Sequence, residues 1–135
     1  MPQRWYDKGS GLNIPPPKTD SFGHDVPAPL LKDNTPSKGE ERTAKDRLGE
    51  AANVAFMDAQ IGRLLDALEA NGQLENTVVI FFSDHSIFLG NHGRMHKGTL
   101  FEESLATSMI VSWPKKFPQE KIDTHPMELM DLVPT

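Results

Sequence analysis

VVIFFSDHSIFLGNHGRMHKGTLFEE, residues 78–103, joins an apolar run to a polar loop rich in chemistry-bearing side chains. Val78, Val79, Ile80, Phe81 and Phe82 are all β-branched or aromatic. A short apolar run without alternation is the pattern of a strand covered on both faces, as in a parallel sheet. The expectation is an α/β fold with a mostly parallel sheet flanked by helices. Ser83, Asp84 and His85 follow at the carboxyl end of that strand, where open α/β sheets bind ligands. Gly90, His92, Gly93, His96 and Lys97 occupy the loop beyond. A carboxylate and an imidazole can bind a divalent cation, and a nearby ammonium can hold an anionic substrate group. Hard cations take about six to eight ligands, so this stretch supplies only part of a site.

Upstream, residues 40–70 carry a helical pattern. Leu48, Ala52, Ala55, Ile61, Leu65 and Leu68 can share one face, widened by Val54, Met57 and Leu64. Asn71-Gly72 is a helix stop, because both residues tolerate the left-handed conformation. The expected role is an amphipathic helix laid on one face of the sheet. Residues 1–39 form a separate proline-rich arm, with Pro2, Pro15–Pro17, Pro27, Pro29 and Pro36, expected to be irregular. Trp5 and Tyr6 favour an arm that packs on a larger body over a solvated leader. Downstream, Thr99 is expected to cap a helical turn with Glu102 as its capping-box acid. Met109-Ile110-Val111 reads as a further strand, and residues 115–121 as a polar connection.

Composition narrows the function classes. The 135 residues suffice for one domain with a modest core. A net charge of -5 opposes non-specific binding to nucleic acid or to an anionic membrane. The chain has no cysteine, so disulfides, zinc–thiolate sites and cysteine-derived nucleophiles are excluded within it. No apolar run reaches the roughly 18–20 residues of a membrane span, and no signal-peptide pattern follows Met1.

Each candidate residue also has a plainer reading. Asp84 can cap a local amide beside an exposed His85. Lys97 can be a solvated surface lysine. His92 and His96 can each be a general acid, an anion contact or an imidazole packed in the loop. Gly90 and Gly93 are assigned tight turns and no chemistry. Asp58, within the helical stretch, is read as a solvated carboxylate rather than a catalytic acid.

The joint spacing adds weight. Ser83-Asp84-His85, then Leu89-Gly90-Asn91-His92-Gly93, then Lys97-Gly98-Thr99-Leu100-Phe101-Glu102-Glu103 resembles the sulfatase family of the alkaline-phosphatase-like superfamily. The flanks 56–68, 76–79 and 131–135 agree with it. The Asp-His pair and Pro2-Gln3-Arg4-Trp5-Tyr6-Asp7 are most similar to its iduronate-2-sulfatase-like branch. The resemblance implies that Asp84 and His85 are ligands of a calcium ion. It makes Lys97 a sulfate-binding residue; His92, from its own reading as an anion contact, is a second substrate-binding candidate. It also implies a formylglycine nucleophile made from a cysteine in a Cys-x-Pro-x-Arg element, which this chain does not contain.

The chain thus looks like the second half of a sulfatase catalytic domain over residues 40–135, contributing to hydrolysis of a sulfated small molecule or glycan. Rival readings are a phosphate or phosphonate ester hydrolase of the same superfamily and a non-catalytic, truncated remnant. Intact relatives of this kind are often exported, periplasmic or lysosomal, and nothing here fixes a compartment. Three departures from the family pattern bear on the pocket: Ser86 where glycine is usual, Asn91 where glutamate is frequent, and Leu105-Ala106-Thr107-Ser108 before the next strand.

Overall fold

A proline-free stretch whose only glycines are Gly49 and Gly62 makes the longest element. The computed structural model describes residues 3–9, 11–17, 35–36 and 39–132. Within them α1 spans Gln3–Gly9 and α2 spans Glu40–Ala70. α2 ends as Asn71-Gly72 requires: Gly72 adopts φ 66°, its N–H donates to the Glu69 carbonyl, and the Gln73 N–H donates to that of Leu68. These paired bonds satisfy carbonyls that the helix itself leaves open. Ala52 and Thr43 are buried along α2, whereas Val54, Met57 and Leu64 stay exposed, so the covered stripe is narrower than the pattern suggested.

The amino-terminal arm is not wholly irregular. Its prolines begin at Pro15 among the described residues, leaving 3–9 free to form α1. Gln3 Nε2 donates to Asp7 Oδ1 at 2.9 Å one turn on, and the Trp5 ring meets Phe56 of α2 edge-on, 5.9 Å between centroids. That aromatic contact is what the arm packs with. Pro2, Pro27 and Pro29 lie outside the described residues.

The strands correct the expected sheet. β1 (Thr35–Pro36), β3 (Phe88–Leu89) and β4 (Arg94–His96) form one small sheet in the order β1-β4-β3. β2 (Val79–Phe82) pairs with β5 (Met109–Ser112) in a second. Every one of these pairings is antiparallel. A parallel return needs a crossover of about a dozen residues or more, usually helical. Here the connection doubles back through the β3–β4 hairpin, and its one α-helix among the described residues, α3 (Glu102–Leu105), is four residues long. The unalternating run of β2 is also open: Ile80 and Phe82 are each 45% exposed. Its apolar character therefore does not report two-sided cover by the described residues.

Among the described residues the buried hydrophobic side chains are Phe88, Met95 and Ala52, and Phe88 meets Phe101 edge-on at 6.3 Å. This small core lies where α2 meets β3, rather than beneath the β2–β5 pair. Arg47 of α2 fastens it, donating to the Leu89 carbonyl at 3.0 Å and the Pro15 carbonyl at 2.8 Å. Charged donors strengthen such bonds, and their loss strands the acceptors. Arg47→Ala is expected to cost about 1–3 kcal/mol of stability. Arg63→Ala, which removes only an exposed bond to Gln60, is expected to change little. Equal urea midpoints for the two variants would refute the clamp.

Candidate active site

Where β2 ends, the chain turns through residues 83–87 instead of continuing the ladder. Ser83 Oγ donates to the His85 carbonyl at 2.8 Å, and the His85 N–H donates to Asp84 Oδ1 at 3.0 Å. This local closure leaves Asp84 Oδ2 facing outward, 3.3 Å from His85 Nε2. His85 Nδ1 lies 3.0 Å from the Ser86 carbonyl. A carbonyl can only accept, so the network assigns the hydrogen to Nδ1 and the lone pair to Nε2. Lys97 Nζ donates to that lone pair at 2.7 Å. Two acceptor atoms as close as Oδ2 and Nε2 call for a positive group beside them, and the ammonium is one.

Lys97 reaches His85 because the backbone around it is bent twice. His96 has φ 72° and Gly98 has φ 90°, both in the left-handed region. For His96 that conformation costs about 1–2 kcal/mol, a strain of the kind that gathers at functional sites. Arg94 and Met95 are buried and anchor the strand from which the loop departs. Ser86 is not among the residues with positive φ, so replacing the usual glycine imposes no backbone conflict.

A pocket of about 370 Å³ joins these groups, lined by Glu50, Ser83, His85, Ser86, Ile87, His96 and Lys97. Asp84 sits at its edge beside His85, with its side chain 81% exposed. His92, the second substrate-binding candidate, does not line this pocket; its Nε2 donates to Glu103 Oε1 at 2.6 Å. Glu50 was not singled out from the sequence, since it comes from mid-helix with no motif around it. Glu103 belongs to the family-like stretch, but nothing in the sequence pairs it with His92, which the fold brings to it. Thr99 does not cap α3: Phe101 takes the cap position, and the Phe101 N–H donates to Thr99 Oγ1 at 3.4 Å.

A larger hollow of about 630 Å³ lies elsewhere, between residues 12–17, α2 and Gly90, and contains none of Asp84, His85 and Lys97. Asp123 lines neither hollow. The His125 backbone N–H and then its ring hold the Asp123 carboxyl below its ordinary value. Among the described residues, no three His, Cys, Asp or Glu side chains converge as a metal-binding group. Asp84 Oδ2 and His85 Nε2 nonetheless fit two adjacent positions around one cation: ligands at about 2.4 Å and a right angle stand roughly 3.4 Å apart. No described helix is long and apolar enough to cross a membrane.

Comparison with known proteins identifies the family. The sulfatase family model matches residues 18–135. A sulfatase of Formosa agariphila is 30% identical over all of this chain and 28% of its own length. An arylsulfatase of Clostridium perfringens is 32% identical, covering 82% of this chain and 27% of its own. An N-acetylglucosamine-6-O-sulfatase of Bacteroides thetaiotaomicron is 36% identical over 62% of this chain and 15% of its own. A solved structure holding its substrate, D-glucosamine-2-N,6-O-disulfate, superposes with a TM-score of 0.53 at 36% identity, covering 56% of this chain and 15% of the other. The chain thus spans little more than a quarter of the longest-matching of these relatives. None of these names supports the narrower iduronate-2-sulfatase-like expectation. With the family model spanning most of its length, the chain belongs to the sulfatase family.

Proposed function

We propose that this chain supplies part of the cation- and sulfate-binding side of a sulfuric ester hydrolase acting on a sulfated carbohydrate. The observation that carries this reading is the convergence of Asp84, His85 and Lys97 at the end of β2 in a sulfatase-family chain. Asp84 and His85 supply two ligands of a divalent cation, calcium by the preference of hard oxygen-rich sites, and other ligands come from outside the described residues. When bound, such an ion offsets charge on the sulfate oxygens. Lys97 donates to a sulfate oxygen, and its present partner Nε2 marks how far the ammonium reaches. The nucleophile also comes from elsewhere, since the chain has no cysteine from which a formylglycine could be made. The carbohydrate assignment follows the sugar sulfates named for the Bacteroides relative and for the solved complex.

A graft tests it. Residues 40–132 replace the matching segment of the Bacteroides N-acetylglucosamine-6-O-sulfatase, and hydrolysis of a 6-sulfated glucosamine is followed with and without calcium. Turnover that needs calcium and disappears in Asp84→Ala is the expected result. A folded graft that turns over equally well with Asp84→Ala would refute the role given to this segment.

A further inference from the structure

The short helix α3 is bonded on two sides. On one, Glu103 Oε1 accepts from His92 Nε2 at 2.6 Å, with the two side chains only 18% and 31% exposed for the histidine and the acid respectively. On the other, the carbonyl of the next residue, the buried Ser104, accepts from the Ser86 N–H at 2.9 Å. Ser86 is the residue whose own carbonyl takes the His85 Nδ1 hydrogen. His92 is held in the left-handed region, φ 53° and ψ 27°, a conformation it does not adopt without cause. An imidazole–carboxylate bond across the loop is such a cause, since charge-assisted bonds are among the stronger polar contacts.

We propose that His92 and Glu103 are positioning residues: their bond fixes α3 so that Ser104 holds Ser86, and Ser86 keeps His85 with its Nε2 lone pair toward Lys97. This deepens the proposed function, on whose assignment of His85 and Lys97 its relevance to catalysis rests. It places His92 outside the set of substrate contacts. The route is contiguous: His92 to Glu103, one peptide to Ser104, a backbone bond to Ser86, and that residue's carbonyl to His85. His85 Nε2 must remain a lone pair to receive either an ammonium or a cation, so an imidazole carrying its hydrogen on Nε2 would serve neither. Fixing the other nitrogen's partner is the means by which proteins set that choice.

The test uses the 135-residue chain without metal or sulfate, by nitrogen-15 NMR of the His85 ring and hydrogen exchange of the Ser86 amide. In the unaltered chain the two ring nitrogens of His85 are expected to be distinct, with Nδ1 protonated. In Glu103→Ala and in His92→Ala that distinction is expected to collapse toward an average of tautomers. Ser86 exchange should then accelerate about tenfold, the scale of one lost hydrogen bond. Glu103→Gln keeps an acceptor for His92 and should restore both signals. Glu102→Ala, the exposed neighbour, should alter neither. If Glu103→Ala does not fold, Glu103→Asp carries the test: withdrawing the carboxylate by one methylene must loosen Ser86 while Glu103→Gln does not. Unchanged His85 nitrogens in folded Glu103→Ala, or equal changes in Glu102→Ala, would overturn the proposal. An inactive graft with these signals intact would count against the proposed function alone.

Discussion

Gly90→Ala is expected to destabilise the chain by about 2–4 kcal/mol, against about 1 kcal/mol for Gly93→Ala. Both glycines have positive φ, 99° and 68°, so both substitutions strain the backbone. They differ in what the new methyl meets. At Gly90 it would lie 2.5 Å from Thr43 Cγ2 and 2.8 Å from Pro17 Cγ, whereas at Gly93 nothing lies within 4 Å. Thr43 cannot easily retreat, because it is buried and its hydroxyl donates to the Gly39 carbonyl at 2.9 Å. The added methyl must therefore push α2, the proline segment or the β3–β4 turn, which overpacking data put at about 1–3 kcal/mol beyond the backbone term. Urea denaturation followed by circular dichroism gives the comparison. Equal losses at the two positions would mean that the close approach at Gly90 relaxes freely.

Lys97→Ala, made in the graft, is expected to lower kcat at least about a hundredfold, the scale of removing one donor from developing charge. KM should move less, because a contact that strengthens in the transition state acts on kcat. The ammonium stands 2.7 Å from His85 Nε2 and lines the same pocket, so it is already placed where an anionic group beside a cation would lie. Lys115→Ala is the comparison, since its residue follows β5 and lines neither described pocket. Undiminished turnover in Lys97→Ala would make this lysine a surface residue and withdraw its sulfate contact.

What the residue pattern reveals depends on how local the determinant is. The extent of α2 is legible because a proline-free run ends in Asn71-Gly72, which closes the helix through its own backbone bonds. The convergence of Asp84, His85 and Lys97 follows from a short loop that must fold back after β2. Strand direction is not legible in the same way. An apolar run such as 78–82 shows what a strand would like to have over it, while its partner is chosen by a connection that the run does not encode. The proline content of the arm as a whole hides α1, because no proline falls within 3–9. Glu50 lacks any local signature, and Glu103, though part of the family-like stretch, carries no sign of His92 as its partner, which only the fold brings near it.

Ile80 and Phe82 lie on one face of the β2–β5 ribbon and Ile110 on the other, all at least 45% exposed. Backbone groups on the outer edges of those strands have no strand partner among the described residues. Such a ribbon is a template on which another copy can add a strand. Against this, a net charge of -5 makes copies repel one another. Its reach is only about 10 Å at 0.1 M salt. In purification of the bare chain, high salt would remove the repulsion and leave the apolar faces untouched, so raising it hastens precipitation where it rescues many other proteins.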